Sequence, residues 1–117
     1  MTFSGKSLTI ADIERRRLIH AGNCMACEVR GIEVGGTGYV QWHHLAGKKR
    51  HDLTIGLCQW HHQGRPPEGW SHESCREHFG PSLAEGSKPF HAAFGSDEEL
   101  LQRQNQFLQE AGFEVSA

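Results

Sequence analysis

The sequence lacks several features that would place it in other classes of protein. It has no apolar run of transmembrane length, and its N-terminal stretch lacks the apolar region of a secretory signal, so we expect a cytoplasmic protein with no membrane partner. Apolar side chains are also scarce, since hydrophobic residues make up 37% and aromatic residues 9% of the 117 residues. We therefore expect one domain over residues 1–117, with a modest core that needs a metal or disulfides as support.

A net positive charge is missing as well. The formal charge is −2 with neutral histidines, so the overall charge does not indicate a nucleic-acid partner. Basic residues are nevertheless clustered at 15–17 and 48–51, whereas acidic residues gather towards the C-terminal end. Such a separation lets one face meet phosphates while the whole chain stays near neutral. The cluster at 15–17 is predicted to be a solvated helix face rather than a dedicated DNA contact.

Cysteines are few, and their spacing indicates a metal site. Of the four cysteines, Cys24 and Cys27 form a CxxC pair, and Cys58 forms a second pair with His61. Zinc in a closed site takes four such ligands in a tetrahedron, usually supplied as two pairs. We therefore predict that these four residues hold a structural Zn²⁺. A redox role for the CxxC pair is the alternative, and it would require a thiol of low pKa and no zinc.

The fourth cysteine belongs to a separate pattern, in which His72, Cys75 and His78 recur every third residue. On a helix these three side chains would follow one side. A second zinc site, or the replacement of His61 by one of them, is therefore an alternative. The simpler interpretation is that Cys75 is a small buried apolar group and that the two histidines lie on the surface.

Histidines occur as two adjacent pairs, His43 with His44 and His61 with His62. Consecutive side chains of a strand point to opposite faces, so His43 and His44 should have different functions. On a helix, His62 would be turned by about 100° from the zinc ligand His61. We predict that His43 and His62 bind a catalytic divalent ion and that His44 acts as the general base towards a water. A single histidine would be interpreted as an ordinary polar side chain, but two pairs beside a cysteine knuckle favour catalysis.

The predicted elements place these motifs on a hairpin and a helix. A strand, a basic loop, a second strand and a metal-ligand run that begins a helix together predict a ββα unit. Residues 1–8 are expected to form a flexible arm. The predicted elements are a helix over 10–20, a short strand and turn over 29–38, strands over 39–45 and 53–57, and helices over 71–78, 89–94 and 97–111.

Taken together, the motifs resemble those of the HNH, or ββα-metal, endonuclease superfamily in its zinc-stabilised form. Residues 24–65 carry this resemblance, through CMAC, WHH and LCQWHH. The downstream run over 80–101, GPSLAEGSKPFHAAFGSDEELL, is similar to the C-terminal part of the phage Ref-type recombination-enhancement, RecA-dependent nucleases. The resemblance implies a small α+β fold with a zinc-stabilised core over 24–65, flanking helices and a C-terminal helical part over 71–112.

The resemblance also implies a mechanism and partners. It assigns His44 as the general base, His43 and His62 as ligands of Mg²⁺ or Mn²⁺, and the three cysteines of the two pairs with His61 as ligands of Zn²⁺. DNA would be the substrate, a RecA filament a partner, and the host cytosol the compartment of a phage-encoded protein.

The sequence departs from the superfamily pattern at its middle position. No asparagine lies between His44 and Cys58, and His51 or Asp52 sits near where that residue would fall. An asparagine there orients the base and shapes the loop, so the residue that supports His44 is left open.

The basic residues around the hairpin are candidates for phosphate contacts. Lys48, Lys49, Arg50 and Arg65 would bind the DNA backbone with little sequence preference, although a solvated loop is an equal alternative for the lysines. The missing asparagine and the absence of net positive charge favour a second function, a non-catalytic zinc-stapled module that binds DNA or protein.

Overall fold

Helices and a two-stranded hairpin make up the part of the chain that the structure describes, residues 8–33 and 40–115 of a computed structural model. Its elements are α1 (Ile10–Ala21), α2 (Met25–Val29), β1 (Val40–His44), β2 (Thr54–Cys58), α3 (Gln59–Gln63), α4 (His72–Phe79), a 3-10 turn (Leu83–Glu85), α5 (Ser87–Phe94) and α6 (Asp97–Glu110). The predicted arm, residues 1–8, lies outside the described residues except for Leu8. Among the described residues, no helix has the length and apolar character needed to cross a membrane.

The hairpin lies at the centre of the fold. Strands β1 and β2 pair antiparallel, with Val40 opposite Cys58 and His44 opposite Thr54, and β2 leads directly into α3. Both strands lie within one residue of the predicted bounds, apart from residue 39, which falls outside the described range. The small α+β class, with a two-stranded sheet and several helices, is therefore confirmed.

A glycine allows α1 to pack directly against the hairpin. Gly56 in β2 lies opposite Trp42, and a Cβ atom built on it would lie only 2.6 Å from Cγ1 of Val40 and 3.1 Å from Cγ2 of Ile19. Its backbone N–H donates to Oε1 of Gln104 at 2.7 Å, which ties β2 to α6. The hairpin is thus held between the first and the last helix.

The strand predicted over 29–38 is wrong in its described part. Only Val29 of the predicted range is helical, as the last residue of α2, and Arg30 and Gly31 form a turn, whereas residues 34–38 lie outside the described range. The cause is local, because the backbone N–H groups of Arg30 and Ile32 both donate to the carbonyl oxygen of Cys27 and turn the chain at the end of the helix. An alternating apolar pattern indicates a strand only where no such turn competes.

The basic cluster at 15–17 is also less solvated than predicted. Arg15 is buried, with 3% of its surface exposed, whereas Arg17 is exposed and paired with Glu14. Burial is tolerated because the Arg15 guanidinium donates to Oγ1 and the carbonyl oxygen of Thr54 and to Oδ1 of Asn105. Arg15 therefore joins α1 to both β2 and α6.

The C-terminal helices follow their predicted signals closely. The hydroxyl of Ser96 accepts the N–H of Glu99, and the Glu99 carboxylate accepts the N–H of Ser96, so the predicted capping box begins α6. Helix α5 begins two residues before Pro89, at Ser87, and ends at Gly95 with a positive φ of 102°. These helices are therefore positioned by short-range rules.

The buried Gln104 provides a test of the packing between α6 and the hairpin. We expect Gln104→Met to lower the free energy of unfolding by about 1–3 kcal/mol, because the Gly56 N–H would remain buried without an acceptor. The same change at the exposed Gln106 should alter it by less than about 0.5 kcal/mol. Urea denaturation of the zinc-loaded proteins measures both, and equal losses in the two variants would contradict the assignment.

Candidate active site and metal centre

Three elements converge on a buried cluster of sulfur and nitrogen atoms. Cys24 and Cys27 come from the first turn of α2, Cys58 ends β2, and His61 lies in α3. All four residues are buried, and their ligand atoms lie within 4.8 Å of one another. Each pair forms a small knuckle, since the Cys24 and Cys58 sulfurs accept the backbone N–H three residues later, at 3.4 and 3.5 Å.

Four of the six ligand-to-ligand distances in this cluster match those of a tetrahedral zinc site, and all six are within 4.8 Å. Zinc–ligand bonds of ordinary length require edges of about 3.8 Å between two sulfurs and about 3.5 Å between sulfur and nitrogen. The sulfurs of Cys27 and Cys58 are 3.9 Å apart, and Nδ1 of His61 lies 3.3, 3.5 and 3.2 Å from the sulfurs of Cys24, Cys27 and Cys58. The residues present therefore fit a metal ion such as zinc.

The imidazole of His61 is oriented for ligation. Its Nε2 lies 2.8 Å from the carbonyl oxygen of Phe79, so Nε2–H donates there and Nδ1 is the atom turned towards the sulfurs. The ring packs against Phe94 at 4.9 Å and Phe90 at 6.2 Å between centroids, which brings α5 against the cluster. Aromatic packing and one hydrogen bond thus fix both the ring plane and the tautomer.

The electrostatics of the cluster also favour a cation. Burial lowers the pKa of His61, but hydrogen bonds to the sulfurs of Cys24 and Cys58 outweigh this effect and raise the pKa to about 10. The pKa of Cys58 is lowered, because Cys24 and Cys27 hydrogen-bond to its sulfur. Such a cluster stabilises a buried positive charge, and a divalent ion supplies that charge while displacing the proton.

A second group of histidines lies across β1 and α3. The rings of His43 and His62 meet edge to face with centroids 4.9 Å apart, so the structure brings the two predicted ligands together. Nδ1 of His62 lies 2.6 Å from Oε1 of Gln41, so it carries the proton and leaves the Nε2 lone pair free. Burial and then the neighbouring His62 lower the pKa of His43 to about 4, which keeps its imidazole neutral under ordinary conditions.

His44 points to the other side of β1, as strand alternation requires. Its ring lies 4.5 Å from Trp42, and its Nε2 lies 3.0 Å from Nδ1 of His51. Burial, His51 and Lys48 lower its pKa, so the imidazole is neutral and can accept a proton. Arg16 lies over the Trp42 ring at 5.6 Å, which places a cation beside this aromatic group.

The structure adds residues that sequence reasoning did not select. Gln41 orients His62, and a second amide contact, from its Nε2 to Oε1 of Gln63 at 3.2 Å, holds Gln41 in turn. Gln41 could have been found, because it lies two residues before His43 and therefore on the same face of β1. His91 and Asp97, 3.4 Å apart, act electrostatically on His43 from the α5–α6 junction, and no local pattern predicts that approach.

The remaining predicted ligands lie apart from the four-residue cluster. Cys75 is buried, and the exposed His72 and His78 contact the rings of Trp60 and Trp70 respectively. The group of candidate ligands found among the described residues contains none of the three. The alternative site, and the replacement of His61 by one of these residues, thus gain no support from the geometry.

The predicted phosphate contacts are on the surface. Lys48, Lys49 and Arg65 are exposed, the two lysines at the tip of the β1–β2 loop and Arg65 just after α3. Arg50 is exposed as well, but its guanidinium makes two hydrogen bonds to Asp52, at 3.1 and 3.0 Å. The two lysines and Arg65 are therefore the more available cations.

Together, the fold and the site define a small α+β protein with a buried Cys₃His cluster that could bind zinc, beside a partly exposed group of histidines. The chain belongs to the family described as recombination enhancement, RecA-dependent nuclease, whose model matches residues 9–109. No curated protein matched the chain significantly. The family description supports, at the general level, the predicted nuclease activity and the link to RecA-dependent recombination.

A comparison of a cysteine inside the cluster with the buried cysteine outside it tests the metal centre directly. We expect the purified protein to contain one zinc ion per chain, and Cys27→Ala to lose it and unfold at much lower urea concentration, because a structural zinc contributes on the order of 10 kcal/mol to folding. Cys75→Ala removes an equally buried sulfur outside the cluster and should keep its zinc. Elemental analysis measures the metal, and a zinc-replete Cys27→Ala protein would refute the ligand assignment.

Proposed function

We propose that this protein is a metal-dependent DNA endonuclease of the HNH, or ββα-metal, type that hydrolyses phosphodiester bonds with one catalytic ion. The observation that carries the proposal is the contact of His43 and His62 across β1 and α3. His44 follows His43 on the opposite face of β1, and His62 follows His61 of the Cys₃His cluster. The match to the family of RecA-dependent nucleases supports the nuclease activity in this proposal independently.

In this proposal, the two histidines in contact are the ligands of the catalytic ion. His43 is neutral, and His62 has a free Nε2 because Gln41 takes its Nδ1 proton. Both imidazoles therefore have lone pairs for Mg²⁺ or Mn²⁺. When bound, such an ion stabilises negative charge on the phosphate and on the leaving oxygen.

His44 is proposed to remove a proton from the attacking water. Its neutral imidazole, with a pKa lowered by burial and by His51, can accept that proton at a nitrogen not used in hydrogen bonding. His43 and His44 are consecutive in β1, so the ligand and the base are held in a fixed relation by the backbone. The loop lysines and Arg65 would hold the DNA backbone over this edge of the hairpin.

The proposed base can be tested by cleavage of plasmid DNA in the presence of Mg²⁺ or Mn²⁺. We expect His44→Ala to lower kcat by about 10²- to 10⁴-fold, the usual contribution of a general base. The change His78→Ala, at an exposed histidine of α4 whose ring packs on Trp70, is the matched control and should leave cleavage near the wild-type level.

Two outcomes would count against this mechanism. Full activity of the His44→Ala protein would show that His44 is not the base. A wild-type protein that holds zinc, binds DNA and never cleaves it, with either ion and with or without RecA filaments on single-stranded DNA, would establish the non-catalytic binding module instead.

The loop lysines give a separate prediction about DNA binding. Each phosphate contact changes the slope of log affinity against log salt by about 0.9 for duplex DNA, because bound counterions are released. We expect the Lys48→Gln/Lys49→Gln double variant to bind more weakly and to show a slope reduced by that amount for each contacting lysine. Lys88→Gln, at an exposed lysine of α5, is the control, and a double variant with the wild-type slope would exclude the lysines from the interface.

The RecA link is proposed from the family description alone. A protein that acts with RecA filaments on DNA works in the bacterial cytosol. If a phage encodes the protein, this is the cytosol of the phage's host. Cleavage with and without preformed filaments tests the dependence, with the His44→Ala variant present in each series to exclude contaminating nucleases.

A further inference from the structure

The nitrogen atoms of His44 are not equivalent in this fold. Its Nε2 is taken by the contact with Nδ1 of His51 at 3.0 Å, so Nδ1 is the atom left to face a water. A neutral imidazole carries one proton, and only the nitrogen without it can act as a base. His44 can therefore serve as the proposed base only if its own proton is held on Nε2.

The contact with His51 determines where that proton lies. A hydrogen bond between two neutral imidazoles uses one donor and one acceptor. If His44 Nε2–H donates, His51 Nδ1 accepts, and the proton of His51 must be on its Nε2. If His51 donates instead, His44 carries its proton on Nδ1 and cannot act as a base there.

His51 itself is difficult to explain as a packing residue. Its Nε2 is buried and has no hydrogen-bond partner among the described residues. A buried polar atom without a partner costs about 1–3 kcal/mol, so an apolar ring of similar size would stabilise the loop better. A buried atom of this kind calls for an explanation, and a catalytic role is one that native proteins provide.

The position of His51 is nevertheless fixed on two sides. Its ring stacks on Trp42 at 5.3 Å between centroids with an interplanar angle of 21°, and its carbonyl oxygen accepts the hydroxyl of Thr54 at 2.9 Å. Thr54 in turn accepts from the buried Arg15. A side chain held in this way can hold another side chain in a fixed orientation.

We propose that His51 is a positioning residue that accepts the Nε2–H of His44 and so keeps the Nδ1 lone pair of His44 available to the attacking water. This inference rests on the proposed nuclease function. It also identifies the residue that takes the place of the asparagine missing between His44 and Cys58.

The first test is spectroscopic and does not depend on activity. Nitrogen-15 NMR of the histidine rings distinguishes the two neutral tautomers. We expect His44 to carry its proton on Nε2 in the wild-type protein and to become a mixture of tautomers in His51→Phe, which keeps the ring stacked on Trp42 but has no acceptor. A wild-type His44 with its proton on Nδ1 would overturn the proposal.

The second test is kinetic. We expect His51→Phe to lower kcat by about 10- to 100-fold with KM and zinc content unchanged, as for other residues that orient an active group. His51→Asn restores an acceptor oxygen and should recover most of that loss, whereas His78→Phe makes the same chemical change at an exposed position of α4 and should have no effect. Wild-type kcat in His51→Phe, or no recovery in a folded, zinc-replete His51→Asn, would overturn the assignment.

The nuclease function and the positioning role of His51 are rejected by different results. A wild-type protein without cleavage activity rejects the nuclease mechanism and, with it, a positioning role in hydrolysis. An active wild-type protein whose His51→Phe variant is equally active rejects the role of His51 alone.

Discussion

The fold depends on four ligand atoms held together in the buried interior. Three sulfurs and Nδ1 of His61 meet where α2, β2 and α3 converge, and these atoms come from segments separated by more than thirty residues. Without a cation, the cluster must hold its protons in buried sites, which disfavours close packing of the three elements. With a bound cation, the same atoms would form the strongest link between residues 24–27 and residues 58–61. The scarcity of apolar side chains in this sequence makes that link more important than it would be in a larger core.

The hairpin next to this cluster presents the proposed functional side chains on two opposite faces of β1. Along β1, Gln41 and His43 face α3 and His62, whereas Trp42 and His44 face α1 and His51. Strand alternation therefore separates the proposed ion ligands from the proposed base while leaving them adjacent in the backbone. Each face has its own support, an amide pair on one side and an aromatic stack on the other.

Much of this arrangement could be predicted from the sequence because it depends on short-range rules. The spacing of Cys24, Cys27, Cys58 and His61 indicated the cluster, the order of strand, basic loop, strand and metal-ligand run indicated β1 and β2, and Ser96 with Glu99 indicated the start of α6. The failures have tertiary or side-chain causes. The turn that ends α2 at Arg30 and Gly31 overrode an alternating pattern, and Arg15 is buried because Thr54 and Asn105 accept its hydrogen bonds. The contacts of His51 and Asp97 depend on how loops meet in space, which no local period encodes.

His61 and His62 are consecutive residues of a helix that is only five residues long. Such a helix moves as a unit, so any change in the position of His61 is transmitted to His62 at almost full size. A substitution that displaces the His61 ring, such as one at Phe94, would therefore also change the spacing between His62 and His43.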